Sequence, residues 1–336
     1  MLGGLLHSAR LLAGPRAAEI VRLDGVIHGE ASKVSLSALY AGSGANRDFL
    51  ARVAFDEYEA HTLHTLRNPL HLRAAVTRIQ DQYPVLLSDL PPLWNTVRPL
   101  PADLRFPAWV RQHLDLPAKA AVGTWLLSRS VEREVARLTR RHDYTVDFVS
   151  GPDALRQFFR ELYGPYISTR FGTGAIVVSE KTFLARSASH TLARLHSAGK
   201  WVAGLLLAES KAAMKFGWFG AQTTPPSPGA SDVLDVACIR RAWELGLARI
   251  TLGNSRPSLA DGVVRYKSKL GAHLEPTRFP QAMLGIGFHG ALIPQVIDRL
   301  HAKQLLALNG NRLATTLLTA PGGQLSINYE LPISNK

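Results

Sequence analysis

The segment Leu252–Gly271, LGNSRPSLADGVVRYKSKLG, contains a lysine suited to stabilising negative charge. Asp261 is a favourable N-cap residue and Gly271 is typical of the position after a helix, so the spacing predicts a helix over 262–270. An ammonium on the apolar face of that helix, turned towards a cleft, would stabilise negative charge that develops there. Lys267 is therefore the first candidate catalytic residue.

The apolar face of this predicted helix surrounds Lys267. At about 100° per residue, Val263, Val264, Tyr266 and Leu270 share one broad face, and Lys267 projects between the two valines. The simpler alternative is that the lysine lays its stem along the apolar surface and keeps its ammonium in water, because burying a lysine charge is costly. Helical geometry alone favours this second interpretation.

The loop before this helix carries three polar residues, Asn254, Ser255 and Arg256, at the end of a predicted strand. Residues at strand ends often contact ligands, so the three are candidates for binding an acceptor or a donor molecule. The alternative is an ordinary turn, because Asn, Ser and the following Pro257 are common turn residues.

The segment YGPYISTRFG supplies a second group of candidates, Tyr163, Tyr166 and Arg170. Arg170 could pair with a carboxylate or phosphate, and the tyrosines could line an acceptor pocket. The alternative is that the tyrosines pack in a seam between domains.

The segment Ser128–Tyr144, SRSVEREVARLTRRHDY, predicts an arginine-rich helix with a narrow apolar stripe. Its arginines, Arg137 among them, form either a solvated surface or an electropositive wall for phosphates. The segment has no base-reading motif and no regular aromatic interleaving, so we do not expect sequence-specific DNA binding.

The length and composition of the chain limit the number of domains and the kinds of partner that it can have. The chain has 336 residues, of which 46% are hydrophobic and 19% charged, and its net charge is +13. That length allows one large domain or two smaller ones, and the charge suits an anionic partner. The single cysteine, Cys238, excludes an internal disulfide and lies in an apolar helix pattern that indicates a core residue. The histidines show no metal-ligand spacing, and no segment is a convincing membrane span.

The predicted elements alternate between strands and helices, which indicates an α/β or α+β fold. In the first part, KVSLSALYA, FLARVAF and PVLLSDL are predicted as strands, and PLHLRAAVTRIQDQY as a helix. In the second part, a helix starting at GPDALRQFF is predicted to be interrupted at Pro165. A strand hairpin follows, and then a helix capped by Ser231 or Asp232.

The order of these motifs resembles that of one protein family. A helix ending WELG, the strand RITLG and then NSRP…DGVVRYKSKLGA resemble the GNAT-like acyltransferase domain of the FemAB-type proteins, over about Ser128–Pro280. The resemblance implies two GNAT-like halves, each a mixed, mostly antiparallel sheet flanked by helices, with the first half degenerate. The implied organisation is an N-terminal tail (1–19), a first half (20–124), a basic connecting helix (125–145), the acyltransferase domain (146–280) and a C-terminal helix and tail (281–336).

The resemblance also implies a reaction, in which an amine attacks an activated carbonyl group. Lys267 would stabilise the oxyanion of the tetrahedral intermediate, and Tyr266 could assist proton transfer. No tightly bound cofactor and no metal are expected. The donor would be acyl-CoA or aminoacyl-tRNA, and the acceptor a small-molecule or cell-wall-precursor amine.

One segment departs from ordinary GNAT enzymes. Where these carry a glycine-rich loop for the coenzyme A pyrophosphate, this chain reads TTPPSPGASDVL, with one glycine and no basic residue. A helix N-terminus can still bind an anion, so Ser231 and Arg137 are the candidates for donor binding, although Asp232 opposes it. Transfer RNA or a carrier protein would also suit the basic charge.

The resemblance leads to a cytoplasmic location, with peripheral contact to an anionic inner membrane as a further expectation. The alternative function is non-catalytic: a GNAT-shaped binding protein acting at an anionic surface in envelope or polysaccharide assembly.

Overall fold

The computed structural model describes residues 17–29, 33–92, 94, 99–118, 127–171, 178–277, 282–290, 293–309, 312–319 and 326–330. Most of the predicted N-terminal tail lies outside these ranges. The chain forms two compact units that are not consecutive in sequence. The first comprises 1–111, 254–265 and 274–336, and the second comprises 112–253 and 266–273.

Sixteen strands have described bounds. They are Ala18–His28 (β1), Lys33–Gly42 (β2), Glu57–Leu66 (β3), Val85–Leu90 (β4), Leu104–Pro107 (β5), Val110–Asp115 (β6), Tyr144–Ser150 (β7), Thr191–Ser197 (β8), Lys200–Glu209 (β9), Ala213–Ala221 (β10), Arg249–Ser255 (β11), His273–Pro276 (β12), Met283–Phe288 (β13), Leu306–Asn309 (β14), Arg312–Thr319 (β15) and Ser326–Glu330 (β16).

The described α-helices number nine. They are Arg47–Ala54 (α1), Leu72–Thr77 (α2), Arg129–His142 (α3), Pro152–Phe158 (α4), Gly164–Phe171 (α5), Glu180–Ser187 (α6), Ala230–Glu244 (α7), Gly262–Lys269 (α8) and Pro294–Lys303 (α9). A π-helical turn, Phe159–Tyr163, joins α4 to α5, and short 3-10 turns flank α2.

The first unit is built on a six-stranded sheet in the order β3-β1-β2-β4-β13-β5. β2 and β4 run parallel, and the other pairs with described register are antiparallel. Buried side chains alternate along β1, as expected for a strand whose two faces differ in environment. One face packs against α1 and α9 and the other against α2, so both faces are covered by helices. A second sheet, β14-β15-β16, completes the unit.

Helix α1 corrects a prediction, because FLARVAF was expected to be a strand. Its buried residues are Leu50, Ala51, Val53 and Ala54, which follow the period of a helix and not the alternation of a strand. A short apolar run cannot distinguish a buried strand from a buried helix. The packing of α1 on the sheet decides the outcome here.

The second unit is built on a sheet that contains, in order, β6, β11, β10, β9, β8 and β7. β10 and β11 run parallel but pair only from Ala213 with Arg249 to Lys215 with Thr251. β10 also carries a bulge between Phe216 and Phe219 in its pairing with β9, and a bulge bends its strand. Helices α3 and α7 cover one face of this sheet, and α4 and α6 cover the other.

The helical stretch through Pro165 corrects a second prediction. The chain does not break at Pro165, because the π-helical turn Phe159–Tyr163 widens the helix just before it and α5 continues to Phe171. A proline in a regular helix removes a hydrogen bond and clashes with the carbonyl four residues earlier. The wider turn accommodates the proline ring.

The fold class is as predicted: an α/β protein with two mixed, mostly antiparallel sheets flanked by helices. The division of the chain differs from the expected boundaries at 124, 145 and 280. The segment expected as a separate C-terminal helix and tail belongs to the first unit, since α9 packs in the same core cluster as α1. The basic helix α3 belongs to the second unit.

Candidate functional site

Helix α8 begins at the predicted residue, Gly262, and ends at Lys269, one residue before the predicted end. The Asp261 carboxylate accepts hydrogen bonds from the backbone N–H groups of Val263 and Val264, at 2.9 and 3.0 Å. These bonds satisfy donors that the first turn of a helix leaves free. After the helix, Gly271 has a φ of +86°, the left-handed conformation that favours glycine. The sequence therefore sets both ends of the helix that carries Tyr266 and Lys267.

The apolar face of α8 is narrower than predicted. Val264 and Leu270 are buried at 1% and 3% exposure, but Val263 is 45% exposed, which corrects its assignment to the buried face. Tyr266 and Lys267 are half-buried. Lys267 is thus neither fully solvated nor fully enclosed.

Tyr266 makes the central contact of the site. Its hydroxyl donates a hydrogen bond to Oδ2 of Asp235 on α7, at 2.8 Å. Asp232 and Asp235 are three residues apart on this helix and therefore lie on one face. The tyrosine interacts electrostatically with both carboxylates, and burial together with these charges raises its pKa well above the ordinary value. Tyr266 is consequently a protonated hydrogen-bond donor at physiological pH.

The carboxyl group of Asp235 has a pKa close to neutral pH. Burial raises its pKa to about 7, the neighbouring charge of Asp232 adds to the rise, and the Tyr266 hydrogen bond opposes it. Burial likewise raises the pKa of Asp232. A carboxyl group that changes charge near neutral pH can both accept and release a proton under cellular conditions.

Lys267 lies close enough to Asp235 for its positive charge to lower the pKa of that carboxyl. Tyr266 and Lys267, the two residues predicted as catalytic, are neighbours in the sequence, and the structure adds Asp235, which interacts with both. Sequence reasoning missed Asp235 because it falls inside the apolar pattern of α7. The sequence feature that could have identified Asp235 is its position three residues after Asp232 in an apolar helix pattern, which places both acids on one face.

A surface depression of about 470 Å³ opens beside Tyr266. Tyr266 and Asp232 form part of its wall, together with Glu134 from α3 and Lys269 from α8. The remaining lining comes from the start of α3 and from Leu270. The depression lies wholly within the second unit, and of the hydrogen-bonded pair Tyr266 and Asp235 only the tyrosine is among its lining residues.

Arg256, one of the predicted binding residues, is held inside the first unit. Its guanidinium carbon lies 3.9 Å from the ring centroid of Trp109 and 4.4 Å from that of Phe49. It donates hydrogen bonds to Oδ1 of Asn46 at 2.6 Å and to the carbonyl of Ala108 at 3.3 Å. Burial lowers its pKa to about 10.

The carboxylate of Asp89 extends this network. It accepts hydrogen bonds from Nδ2 of Asn46, from the hydroxyl of Ser43 and from the backbone N–H of Asn46. Asp89 is 1% exposed, so these donors compensate the burial of its charge. Arg256 thus belongs to a buried polar network of the first unit and not to the Tyr266 site.

The other predicted binding residues have separate environments. Asn254 is exposed and Ser255 is buried, and both lie within β11 rather than in the loop that follows it. Tyr163 is buried in an aromatic cluster with Phe183 and Trp218.

Tyr166 and Arg170 lie next to each other on α5. Tyr166 packs edge-on against Phe219, with ring centroids 5.3 Å apart, and its hydroxyl accepts a hydrogen bond from Arg170. Arg170 is exposed.

The two predicted donor-binding residues lie on different helices, Ser231 on α7 and Arg137 on α3. Helix α7 begins at Ala230 with Gly229 as N-cap residue, so Ser231 and Asp232 lie in the first turn, which corrects the expected cap. The hydrogen bond from the N–H of Val233 to the Gly229 carbonyl starts the helix earlier than predicted. Arg137 on α3 is exposed and makes a two-pronged ion pair with Glu134, at 2.7 and 2.8 Å.

Three further features bear on function. Among the described residues, no group of three or more His, Cys, Asp and Glu side chains is arranged to hold a metal ion. None of the described helices combines the length and apolarity needed to cross a membrane. Cys238 is buried, and burial raises the pKa of its thiol well above the ordinary value, as expected for a core residue.

Comparison with known proteins gives matches among solved structures. No family model and no curated protein matches the chain. The structure of L-PGS from Bacillus licheniformis is 11% identical, with a TM-score of 0.41, over 82% of this chain and 88% of that one. FemX is 11% identical, with a TM-score of 0.38, over 77% and 88%. A tandem GNAT protein from the clavulanic acid biosynthesis pathway is 11% identical, with a TM-score of 0.33, over 84% and 86%. The chain is similar to each of these three proteins over more than three quarters of its length.

Proposed function

We propose that the protein is an N-acyltransferase that moves an acyl or aminoacyl group from an activated donor to an amine. The observation that carries this proposal is the hydrogen bond of Tyr266 to Asp235, a carboxyl whose pKa is about 7, with Lys267 beside them. This combination provides a proton acceptor, a hydroxyl that can relay a proton and a cation in one place. The motif order DGVVRYKSKLGA, which resembles that of the FemAB-type acyltransferases, independently supports the same reaction class.

Asp235 and Tyr266 act as the acid–base pair in this proposal. The attacking amine must lose a proton as its nitrogen bonds to the donor carbonyl carbon. The oxygen of Tyr266 accepts that proton while its own passes to ionised Asp235, so the tyrosine stays protonated throughout. The raised pKa of Tyr266 agrees with a relay role and not with a tyrosinate.

Lys267 stabilises the oxyanion in this proposal. The carbonyl oxygen becomes negative in the tetrahedral intermediate, and a fixed ammonium nearby lowers the barrier. Its half-buried position beside an acid supports a charge that is held in position rather than free in solvent. When the intermediate collapses, the donor's thiolate or alkoxide leaves and the proton on Asp235 neutralises it.

An acid in the wall of the depression favours an amine as acceptor. Asp232 lines it and would attract an ammonium group before its deprotonation, whereas the charge of Glu134 is already paired with Arg137. We propose a small-molecule or cell-wall-precursor amine as acceptor and acyl-CoA or aminoacyl-tRNA as donor, with Ser231 and Arg137 as the proposed donor-binding residues. Of the other candidates, Tyr166 and Arg170 of the second unit stay as proposed binding residues for this reaction. The location proposed for this reaction is the cytoplasm, at the inner face of the envelope.

The proposal is tested with purified protein and a panel of donors. Acyl-CoA thioesters and aminoacyl-tRNAs are each incubated with a mixture of amines, and amide products are identified by mass spectrometry. A product that forms with wild type and is lost in Lys267→Ala supports the proposal. Unchanged turnover in that variant would reject the role of Lys267. Sensitivity of turnover to ribonuclease identifies the tRNA donor.

A second candidate function, binding at an anionic surface without catalysis, is favoured by the exposed arginines of α3. Arg129 and Arg133 line a shallow surface there, with Arg240 from α7. Glu132 pairs with Arg240 at 3.6 Å and offsets part of this charge. If this function is correct, Lys267→Ala leaves binding to anionic vesicles unchanged, whereas loss of the α3 arginines abolishes that binding.

A further inference from the structure

A second depression of the second unit, which we call the Arg186–Lys215 depression, has a composition unlike the first. Its volume is about 350 Å³. Three nitrogen-bearing side chains, Arg186, His190 and Lys215, line it together with apolar side chains that include Phe216 and Trp218. Among the residues that the structure describes, no carboxylate lines it, and none of its lining residues belongs to the depression beside Tyr266.

The cations of this depression have no described counter-ion. Other arginines on this face of the second unit are paired: Arg156 and Arg160 with Glu180, and Arg194 with Asp147. Glu180 and Arg186 belong to the same helix, α6, yet Glu180 pairs only with residues of the preceding helical stretch. Within the described residues, neither Arg186 nor Lys215 has an ion pair.

The side chain of His190 also indicates that the depression could bind a ligand. Its Nδ1 atom is buried and lacks a hydrogen-bond partner among the described residues, which costs free energy in a folded protein. Burial lowers the pKa of His190, and the positive charge of Lys215 lowers it further. The depression therefore holds an imidazole whose protonation Lys215 disfavours, and a bound anion would offset that effect.

The apolar wall of the depression is formed by packed aromatic side chains. The ring of Trp218 stacks on Phe183 with centroids 4.9 Å apart, and Tyr163 lies 5.9 Å away. Phe216 is 7% exposed. A flat group attached to the anion would thus meet an ordered aromatic surface next to the cations.

We propose that the Arg186–Lys215 depression binds a phosphate monoester carried on an aromatic or other apolar body, with Arg186, Lys215 and His190 around the phosphate and Trp218 against the body. A phosphate offers three oxygens to three nitrogen-bearing side chains, and arginine pairs with it through two parallel hydrogen bonds. A carboxylate offers only two oxygens and a single charge. The site is independent of the proposed acyl transfer.

The test measures binding of phenyl phosphate to the full chain. We expect saturable binding with a dissociation constant below about 1 mM, followed by tryptophan fluorescence and by the NMR signal of His190. Phenol is expected not to bind. Benzoate and inorganic phosphate are each expected to bind roughly tenfold more weakly, because one lacks an oxygen and a charge and the other lacks the ring. Benzoate binding as tightly as phenyl phosphate would overturn the phosphate assignment.

Substitution of the lining residues tests whether phenyl phosphate binds in this depression. Arg186→Gln and Lys215→Gln are each expected to weaken binding of phenyl phosphate roughly tenfold, since each removes a charge-assisted bond. Both residues are exposed, so the variants should fold. Lys181→Gln, on the same helix but outside the depression, is the matched control and should bind like wild type.

Two further variants test whether the fluorescence signal arises in the depression and whether binding there is separate from acyl transfer. The chain has six tryptophans, so Trp218→Phe shows whether the fluorescence change arises in the depression. Lys267→Ala should retain full binding, which keeps this result distinct from the outcome for acyl transfer. If Arg186→Gln/Lys215→Gln binds as tightly as wild type, or if wild type shows no saturable binding, the proposal is wrong.

Discussion

The hydroxyl of Tyr266 and the carboxylate of Asp235 join two helices, α8 and α7, through one hydrogen bond of 2.8 Å. The acid in this bond has a pKa of about 7 and the tyrosine remains protonated. The pair therefore changes charge only at Asp235, and it does so within the physiological pH range. The first three predictions depend on this relationship and on Lys267 beside it.

Replacing Lys267 by alanine should remove the proposed oxyanion contact. We expect kcat to fall by about 10²–10³-fold, the usual cost of losing one such donor, with little change in the free energy of unfolding. Arg265→Ala is the matched control, because Arg265 lies on the same helix and is exposed. Steady-state kinetics of both variants checks the prediction, and equal losses in the two would argue against a special role for Lys267.

Activity should depend on pH through Asp235. If ionised Asp235 accepts the proton, kcat/KM rises as pH increases through about 7 and levels off above it. Asp235→Asn should lose most activity and show no such rise, and Tyr266→Phe should lose activity at every pH. A wild-type profile that is retained in Asp235→Asn would assign the titration to another group.

Stability should also depend on pH through Asp235. Its pKa is about 7 in the folded chain, against an ordinary value of 3.8, so between these values the folded state holds a proton that the unfolded state has released. The free energy of unfolding therefore falls as pH rises from about 4 to about 7 and changes little above that. Asp235→Asn should be more stable than wild type at pH 8, by roughly 1–3 kcal/mol, and the difference should vanish near pH 4. Urea unfolding at both pH values measures it, and a constant difference would contradict the assigned pKa.

Replacing Arg256 by alanine should destabilise the first unit. The change removes two ring contacts and leaves the side-chain oxygen of Asn46 and the carbonyl of Ala108 without this donor. We expect a loss of about 2–3 kcal/mol in the free energy of unfolding. Thermal or urea unfolding checks it against the exposed Arg265→Ala, which should change stability by less than about 0.5 kcal/mol. Similar values for the two variants would argue against the network.

Gly220 on β10 should tolerate no larger residue. A Cβ atom there would lie 2.7 Å from the backbone nitrogen and Cα of Tyr163, and backbone atoms cannot move aside as a flexible side chain can. Gly220→Ala should therefore lower the free energy of unfolding by about 1–3 kcal/mol. Gly262→Ala, at the start of α8, has nothing within 4 Å of the added Cβ atom and is the control. If the two variants unfold alike, the close contact at Gly220 is not as described.

Much of the second unit follows from local sequence signals. Ser128 caps α3 and Gly271 follows α8 in the left-handed conformation, as their residue types predict. Strands β9 and β10 pair antiparallel, as the predicted strand hairpin requires. These features depend on a few neighbouring residues, so one sequence suffices to find them.

The remaining features depend on contacts between distant residues. Nothing near Asn46 in the sequence indicates that Arg256 will donate to it, because the two are 210 positions apart. Asp235 belongs to the site only because α8 brings Tyr266 to it, and its pKa follows from burial that no local pattern encodes. Helix α1 was misassigned for the same reason, since its packing and not its composition decides its form.

Each of the two units is formed by segments that are not consecutive in the chain, and this limits how the gene can be divided into fragments. The first unit requires segments from the beginning, from residues 254–265 and from the end of the chain, and the second requires residues 266–273 in addition to 112–253. No single cut therefore yields two fragments that each contain one entire unit. Expression of either half alone would leave a sheet without some of its own residues, so study of the separated units requires a rearranged or co-expressed gene.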